Sequence, residues 1–431
     1  MTATAIKTNR LNAPTIHQLS NGLTIIAEQM PVEAINLNVW LTVGSALESD
    51  DINGMAHFLE HMVFKGTPRL ESGAFERLIE ERGAVTNAAT SQEYTHYYIT
   101  TAPKDFAELA PLQLDVVLNP SIPDGAFERE RLVVLEEIRR AEDNPGRRTF
   151  YRAMETCFAS LLYRRPVLGP GEVIEQLTPQ QMRDFHDSWY QPQRMTAAVV
   201  GNLPAEELTD IVREAFSQLY QSDKSFRDTG SRREAQPESA FGEIVRREYV
   251  DESLQQARLV MMWRAPGILE LSETYPLDVL AAILGQGKMS RLFRDLREDR
   301  GLVSQIGVSN LTQGIQGVFY ISAQLPPENI EEVEQAIADH LRSIQRESVA
   351  KHELARICTQ VVNRFIFANE RPSDRANLYG YYYSQMGDLE PAFNYPSLIQ
   401  SLTTEDIQSA ACRYLSPDAY AMVVMKPYQD S

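Results

Sequence analysis

The sequence contains no run of about 18 apolar residues, the length a membrane helix needs, so a membrane span is not expected. The stretch from Met1 to Leu11 lacks an apolar core of signal-peptide length, which speaks against secretion. Cysteine is scarce. Cys157, Cys358 and Cys412 stand far apart, an odd number with no paired spacing. That excludes a disulfide framework and suits a reducing compartment, so a cytoplasmic setting is expected, with the three thiols as ordinary buried residues. Positive charge is also short: 41 Lys and Arg face 59 Asp and Glu, a formal net charge of −18. Nucleic acid is therefore an unsuitable partner, because its phosphates would be repelled. An acidic chain could instead attract basic peptides if the charge lines a cavity.

With 431 residues, 43% hydrophobic and 23% charged, the chain has the profile of a soluble globular protein. At about 150 residues per domain, it holds two or three domains. An internal repeat favours two. At a shift of 225, Leu177 meets Leu402, Met182 meets Ile407, Trp189 meets Tyr414, Pro192 meets Pro417 and Val199 meets Val424. Both segments read as a helix, a proline-marked turn and an apolar strand. Arg82-Gly83 recurs as Arg300-Gly301, and Tyr97-Tyr98-Ile99 as Phe319-Tyr320-Ile321, at slightly smaller shifts. Strands are expected at 23–27, 36–43, 94–100 and 196–200. The blocks of strands and helices imply an α+β fold: two homologous α/β sandwiches, each a mainly antiparallel sheet under helices. The expected domains are 1–222 and 244–431. The polar stretch 223–243 is the expected linker.

The chemistry-bearing segment follows Gly54: Met-Ala-His-Phe-Leu-Glu-His-Met-Val-Phe-Lys. It has helical length, with Asn53 as cap and Gly66 as stop. Met55, Phe58, Leu59, Met62 and Val63 make it apolar over most of its circumference. His57, Glu60 and His61 fall at i, i+3 and i+4, which share one face. A buried polar stripe costs several kcal/mol unless something satisfies it, and a bound metal would do so. Two imidazoles one turn apart can reach one zinc ion, and a catalytic zinc needs a third protein ligand and an open position. Glu60 stands where a general base would take a proton from water. The H-x-x-E-H order is the inverted zincin motif. The helical stretch 127–141, with Leu132, Leu135 and Ile138 as its apolar positions, carries the acidic candidates for a third ligand. Glu130 and Glu137 lie along one face with Val134, and Glu128, Glu136 and Glu142 are nearby.

The sequence resembles the pitrilysin and mitochondrial-processing-peptidase family of metallopeptidases, most closely the zinc-bearing beta-type subunit and its bacterial relatives. The resemblance covers nearly the whole chain and rests on residues 54–67, 83–98, 128–138 and 284–302. It implies one zinc per chain held by His57, His61 and Glu137, which follows His61 by 76 residues, with Glu130 supporting a histidine ligand. It implies peptide substrates added as a strand along a sheet edge beginning near Asn87 and Ala88. It implies a chain forming half of a clamshell that closes round unfolded segments.

The second half departs from the metal pattern. Val279 and Ile283 stand where His57 and His61 recur, and Ala355 and Val362 where Glu130 and Glu137 recur. The family's second half supplies a substrate-contacting arginine and tyrosine. Arg297 takes the arginine position, but Ser304 occupies that of the tyrosine. Three explanations fit Ser304: a partner chain supplies the pair, a nearby residue substitutes, or activity is lower. Because bacterial relatives split zinc site and arginine–tyrosine pair between chains, the expected assembly is a heterodimer with a homologous subunit, a homodimer being the other arrangement. The reading is a zinc endopeptidase. Its rivals are a non-catalytic assembly subunit of the same fold and a dedicated targeting-peptide processing protease. His96, His186 and His352 are expected to be structural or exposed, and the tyrosines 379 and 381–383 to pack a core.

Overall fold

The computed structural model describes residues 14–220 and 235–428. The expected linker residues 223–234 lie outside them. Two sheets organise the described residues. The first takes β1 (Thr15–Gln18), β2 (Thr24–Gln29), β3 (Ile35–Leu41), β4 (Val85–Thr90), β5 (Thr95–Thr101) and β6 (Met195–Gly201) in the order β1-β2-β6-β3-β5-β4. The second takes β7 (Val245–Val250), β8 (Ala257–Pro266), β9 (Gln305–Leu311), β10 (Gln316–Leu325) and β11 (Ala421–Lys426) in the order β7-β11-β8-β10-β9. With β1 set aside, the two orders are the same. In each sheet one pair is parallel, β2 with β6 and β7 with β11, and the other pairings are antiparallel.

The repeat extends to hydrogen bonds. Thr178 caps the helix Pro179–Trp189 through a reciprocal pair with Gln181, and Thr403 caps the helix Thr404–Tyr414 through the same pair with Asp406. Both positions of the first box recur 225 residues later, threonine as threonine and Gln181 as Asp406. A Ser or Thr cap bonded to the third helical residue satisfies two backbone donors that a helix otherwise leaves open. Both helices then run to a turn and an inner strand, β6 or β11, because the apolar runs 195–201 and 421–425 are buried on both faces.

The compact units cut across the boundary expected at 222. One takes in the chain up to Val134, the stretch from Val167, and the segment Phe367–Asn394. The other takes in Leu135–Pro166, the stretch up to Ile366, and the chain from Tyr395. In the first unit, the helix Pro372–Met386 covers one face of the sheet, setting Ala376 and Tyr379 against Ile26, Ala198 and Val200. Gly380 makes this approach possible, since a Cβ there would sit 2.1 Å from the Trp40 indole. Arg375 and Tyr379 also reach the buried Glu28 on β2, at 3.1 and 2.6 Å. Burial pushes the Glu28 carboxyl up, against the pull of these partners. In the second unit, the helix Pro145–Cys157 covers the corresponding face, with Met154 and Cys157 against Val260, Met262 and Val423. Each half of the sequence thus lends a helix to the other half's sheet. An amphipathic pattern marks which face of a helix is apolar, not which sheet receives it.

Among the described residues no helix is long and apolar enough to cross a membrane. Cys157 and Cys358 are buried as expected, but Cys412 is exposed. Tyr379 is fully buried, in keeping with the core role expected of the tyrosine group.

Candidate metal centre

The motif helix spans Met55–Met62. Its cap differs from the expectation. The Asn53 amide donates to Glu48 rather than capping the helix, and the buried Glu48 carboxylate accepts from the backbone of Gly54 and Ala56 at 2.8 and 2.7 Å. A carboxylate at a helix start satisfies orphan N–H groups and matches the positive end of the dipole. Gly54 takes φ +100°, and its backbone passes so close to Leu168 that a Cβ would meet the Leu168 carbonyl at 2.5 Å. Met55, Ala56, Phe58, Leu59 and Met62 are buried, and so is His57, while Glu60 and His61 are half-buried. The apolar positions therefore anchor the helix and the i, i+3, i+4 stripe is left facing the site.

The second support is the helix Asp124–Asp143. Leu132, expected on its apolar face, is 67% exposed; the buried positions are Ala126, Phe127, Val134, Ile138 and Ala141. Phe127 stacks on Phe58 of the motif helix, with centroids 4.5 Å apart. Arg131 pins the same helix to the carbonyls of Ile174, Glu175 and Leu177. These contacts fix the turn that carries Glu130. Its carboxylate receives His61 Nδ1 at 3.0 Å and the Lys65 ammonium at 2.8 Å. Burial pushes the Glu130 carboxyl up, but the bonds from His61 and Lys65 outweigh it and hold the group below its usual range.

The structure brings His57, His61 and Glu137 together. One ligand-type atom from each lies within 4.8 Å of the others. The two imidazole rings stand 4.9 Å apart, edge to face. With Nδ1 of His61 committed to Glu130, its Nε2 is the nitrogen presented to a ligand, the arrangement typical of metal-bound histidine. Two imidazoles and a carboxylate form a donor set suited to zinc with one position open. The residues thus fit the ion that the motif implies.

Glu60 lies between the two histidines in sequence and receives a 2.5 Å hydrogen bond from the Thr90 hydroxyl. Thr90 ends β4, which closes one edge of the first sheet. Asn87 and Ala88 lie on that edge strand, Asn87 exposed, with its Oδ1 accepting from the Ala88 N–H. Their side chains alternate, so Ala88 and Thr90 share the face towards the motif helix and Asn87 takes the other. Sequence reading missed Thr90, Lys65 and Glu48. Lys65 could have been found, being one helical turn beyond His61; Thr90 and Glu48 lack any periodic signal.

Arg297 belongs to the second unit, on the π-helical stretch Phe293–Asp299, with its guanidinium over the Phe293 ring at 4.7 Å. Ser304 Oγ lies 2.7 Å from Gln256 Oε1 and 3.1 Å from the Gln324 carbonyl. Val279 and Ile283 are buried in the helix Leu271–Gly285 as core residues. Of the remaining histidines, His96 stacks on Trp40 at 4.4 Å, and burial pulls its pKa down to about 4. His186 Nε2 bonds the Val117 carbonyl.

Residues 24–171 match the family profile described as insulinase, peptidase family M16. Residues 176–361 match the one described as the peptidase M16 inactive domain. An uncharacterised zinc protease of Mycobacterium leprae is 32% identical over 339 residues, covering 78% of this chain and 74% of its own. The chain belongs to peptidase family M16. Other similarities run over more of its length. An uncharacterised zinc protease of Rickettsia felis is 26% identical, covering 93% of this M16 chain and 95% of its own. A solved protease from Helicobacter pylori has a TM-score of 0.89 at 25% identity, covering 96% of this chain and 99% of that one. A Pseudomonas fluorescens structure titled as a peptidase M16 inactive domain shares the fold, with a TM-score of 0.84 at 19% identity, covering 97% and 99%. The resemblance expected from the motifs is thus to the family the chain belongs to, and two M16-type halves match the expected duplicated fold.

Proposed function

We propose that this chain is a zinc metalloendopeptidase that hydrolyses peptides or unfolded protein segments. The observation that carries the reading is the convergence of His57, His61 and Glu137, with Glu60 fixed beside them. The relatives named zinc proteases support it. His57, His61 and Glu137 hold one zinc ion, and Glu130 orients His61. When bound, the ion supplies Lewis acidity to a water molecule and to the scissile carbonyl. Glu60 accepts the proton of the attacking water and later delivers it to the leaving amine. The edge strand β4, at Asn87 and Ala88, takes the substrate as an added strand through backbone hydrogen bonds.

The second unit serves binding and assembly. Ser304 stands in the tyrosine position, so the oxyanion contact comes from a homologous partner chain whose arginine and tyrosine complete the site. Two chains would enclose a chamber that admits unfolded segments. The low cysteine content suits a cytoplasmic setting.

The test is cleavage of a quenched unstructured peptide by the purified zinc-loaded chain, alone and with its homologous partner, against Glu60→Gln. Turnover that vanishes in Glu60→Gln supports the reading, and turnover only with the partner supports the heterodimer. Full activity of the chain alone would remove the need for a partner, and cleavage that survives Glu60→Gln would remove the base.

A further inference from the structure

We infer that Thr90 is a positioning residue for Glu60, tying the orientation of the general base to the edge strand on which substrate is taken up. The inference rests on the peptidase reading of the site. A glutamate on an eight-residue helix has three side-chain torsions and can point its carboxylate in several directions. A base that transfers a proton must hold its oxygen within hydrogen-bond reach of one water position, and misplacement by about 1 Å can cost a hundredfold in rate. Thr90 Oγ1 holds Glu60 Oε2 at 2.5 Å, which removes that freedom.

Thr90 is well suited to act as a fixed post. A β-branched side chain has few χ1 choices in a strand. Its strand is paired on one side by β5, where Thr95 lies directly opposite. The Thr95 hydroxyl donates to the Val43 carbonyl at 2.9 Å and packs 3.3 Å from the Thr90 hydroxyl. The other side of β4 is the end of the sheet. Asn87 and Ala88 lie on this same strand, so a peptide paired along it would immobilise the backbone that carries Thr90. The bond therefore couples substrate capture to base geometry.

The second unit shows what a structural version of this link looks like. There the half-buried Asp278, on the helix Leu271–Gly285, accepts from Asn310 of the edge strand β9 at 2.8 Å. That helix carries valine and isoleucine where the first unit has histidines, so the bond there only fastens helix to strand. A purely structural role is the competing account of Thr90.

The test uses the full zinc-loaded chain, with its partner if turnover requires one, and compares Thr90→Val, which keeps shape and removes the hydroxyl, with Thr90→Ser, which keeps the hydroxyl. Thr90→Val is expected to lower kcat about tenfold to a hundredfold while KM stays within about threefold. Zinc content should be unchanged, Thr90→Ser should restore most of kcat, and Thr90→Val should cause no further loss in a Glu60→Gln background. Independently of activity, the effects of Thr90→Val and Glu60→Ala on the thermal midpoint should be non-additive, because each alone removes the same bond. Wild-type kcat in Thr90→Val, failure of Thr90→Ser to rescue, or additive midpoints would each overturn the inference. If Thr90→Val does not fold, Thr90→Ala carries the same expectations. A wild-type chain that cleaves no peptide refutes the peptidase reading and, with it, the coupling to substrate capture; the midpoint cycle then decides whether Thr90 fixes Glu60 at all.

Discussion

His61 and Glu130, 69 residues apart in sequence, meet through a 3.0 Å bond between the imidazole Nδ1 and a carboxylate oxygen. Glu130 binds Lys65 with its other oxygen, so its orientation is fixed from two sides. Removing the carboxylate would free the ring to rotate and lower its basicity. Glu130→Gln is therefore expected to weaken zinc affinity by about tenfold to a hundredfold, the usual effect of losing such a partner. Competition with a chromogenic chelator would measure it, and unchanged affinity would contradict the assigned support.

Glu48 is a second residue whose removal should be felt at the site. It is buried and accepts three donors at the start of the motif helix. Glu48→Ala leaves those donors unsatisfied, at about 1–3 kcal/mol or more. Chemical denaturation should show that loss. A change within experimental error would mean that water replaces the carboxylate at no cost.

The exchanged helix offers a packing test. Gly380 lies against Trp40, so Gly380→Ala must push the helix Pro372–Met386 away from the first sheet. Glycine to alanine inside an exposed helix ordinarily stabilises by up to about 1 kcal/mol. Here the opposite sign is expected, a loss of about 1–3 kcal/mol from overpacking. A stabilised variant would show that the helix does not rest on Trp40.

Asp278 should give stability an unusual pH dependence. Burial pushes its pKa from the ordinary value of 3.8 up to about 6, opposed by bonds from Asn310 and Tyr395. A carboxyl with a raised folded pKa favours folding most when protonated. Its contribution is full below about pH 4 and is lost as pH rises through about 6. Asp278→Asn removes the titration, so the midpoint of the variant relative to wild type should rise between pH 4 and pH 7, by the equivalent of about 1–3 kcal/mol. A pH-independent difference would contradict it.

Parts of this structure were legible in sequence for a physical reason. His57, Glu60 and His61 declare a shared face through the helical period, and Thr178 and Thr403 declare the duplication by recurring at the same place in the repeat. Glu137 was not legible from spacing alone, since Glu128, Glu136 and Glu142 lie within the same few turns; the family resemblance singled it out. Glu48 was hidden because it caps from six residues upstream of the Gly54 amide it binds, where Asn53 looked the better candidate. Leu132 was misjudged because an apolar residue can stay on the outer face of a helix whose core stripe is already filled by Phe127, Val134 and Ile138. The crossing of helices between sheets was invisible, because Pro145–Cys157 and Pro372–Met386 carry the same apolar signal whichever sheet they meet.

The peptidase reading stands or falls with His57, His61 and Glu137 holding one zinc ion. The most direct measurement is the zinc content of the dialysed chain beside His57→Ala and Glu137→Ala, each checked for folding by circular dichroism. The expected result is one zinc per wild-type chain and a folded but zinc-depleted protein for both variants. Zinc retained at full stoichiometry in either variant, or absent from the zinc-incubated wild type, would contradict it.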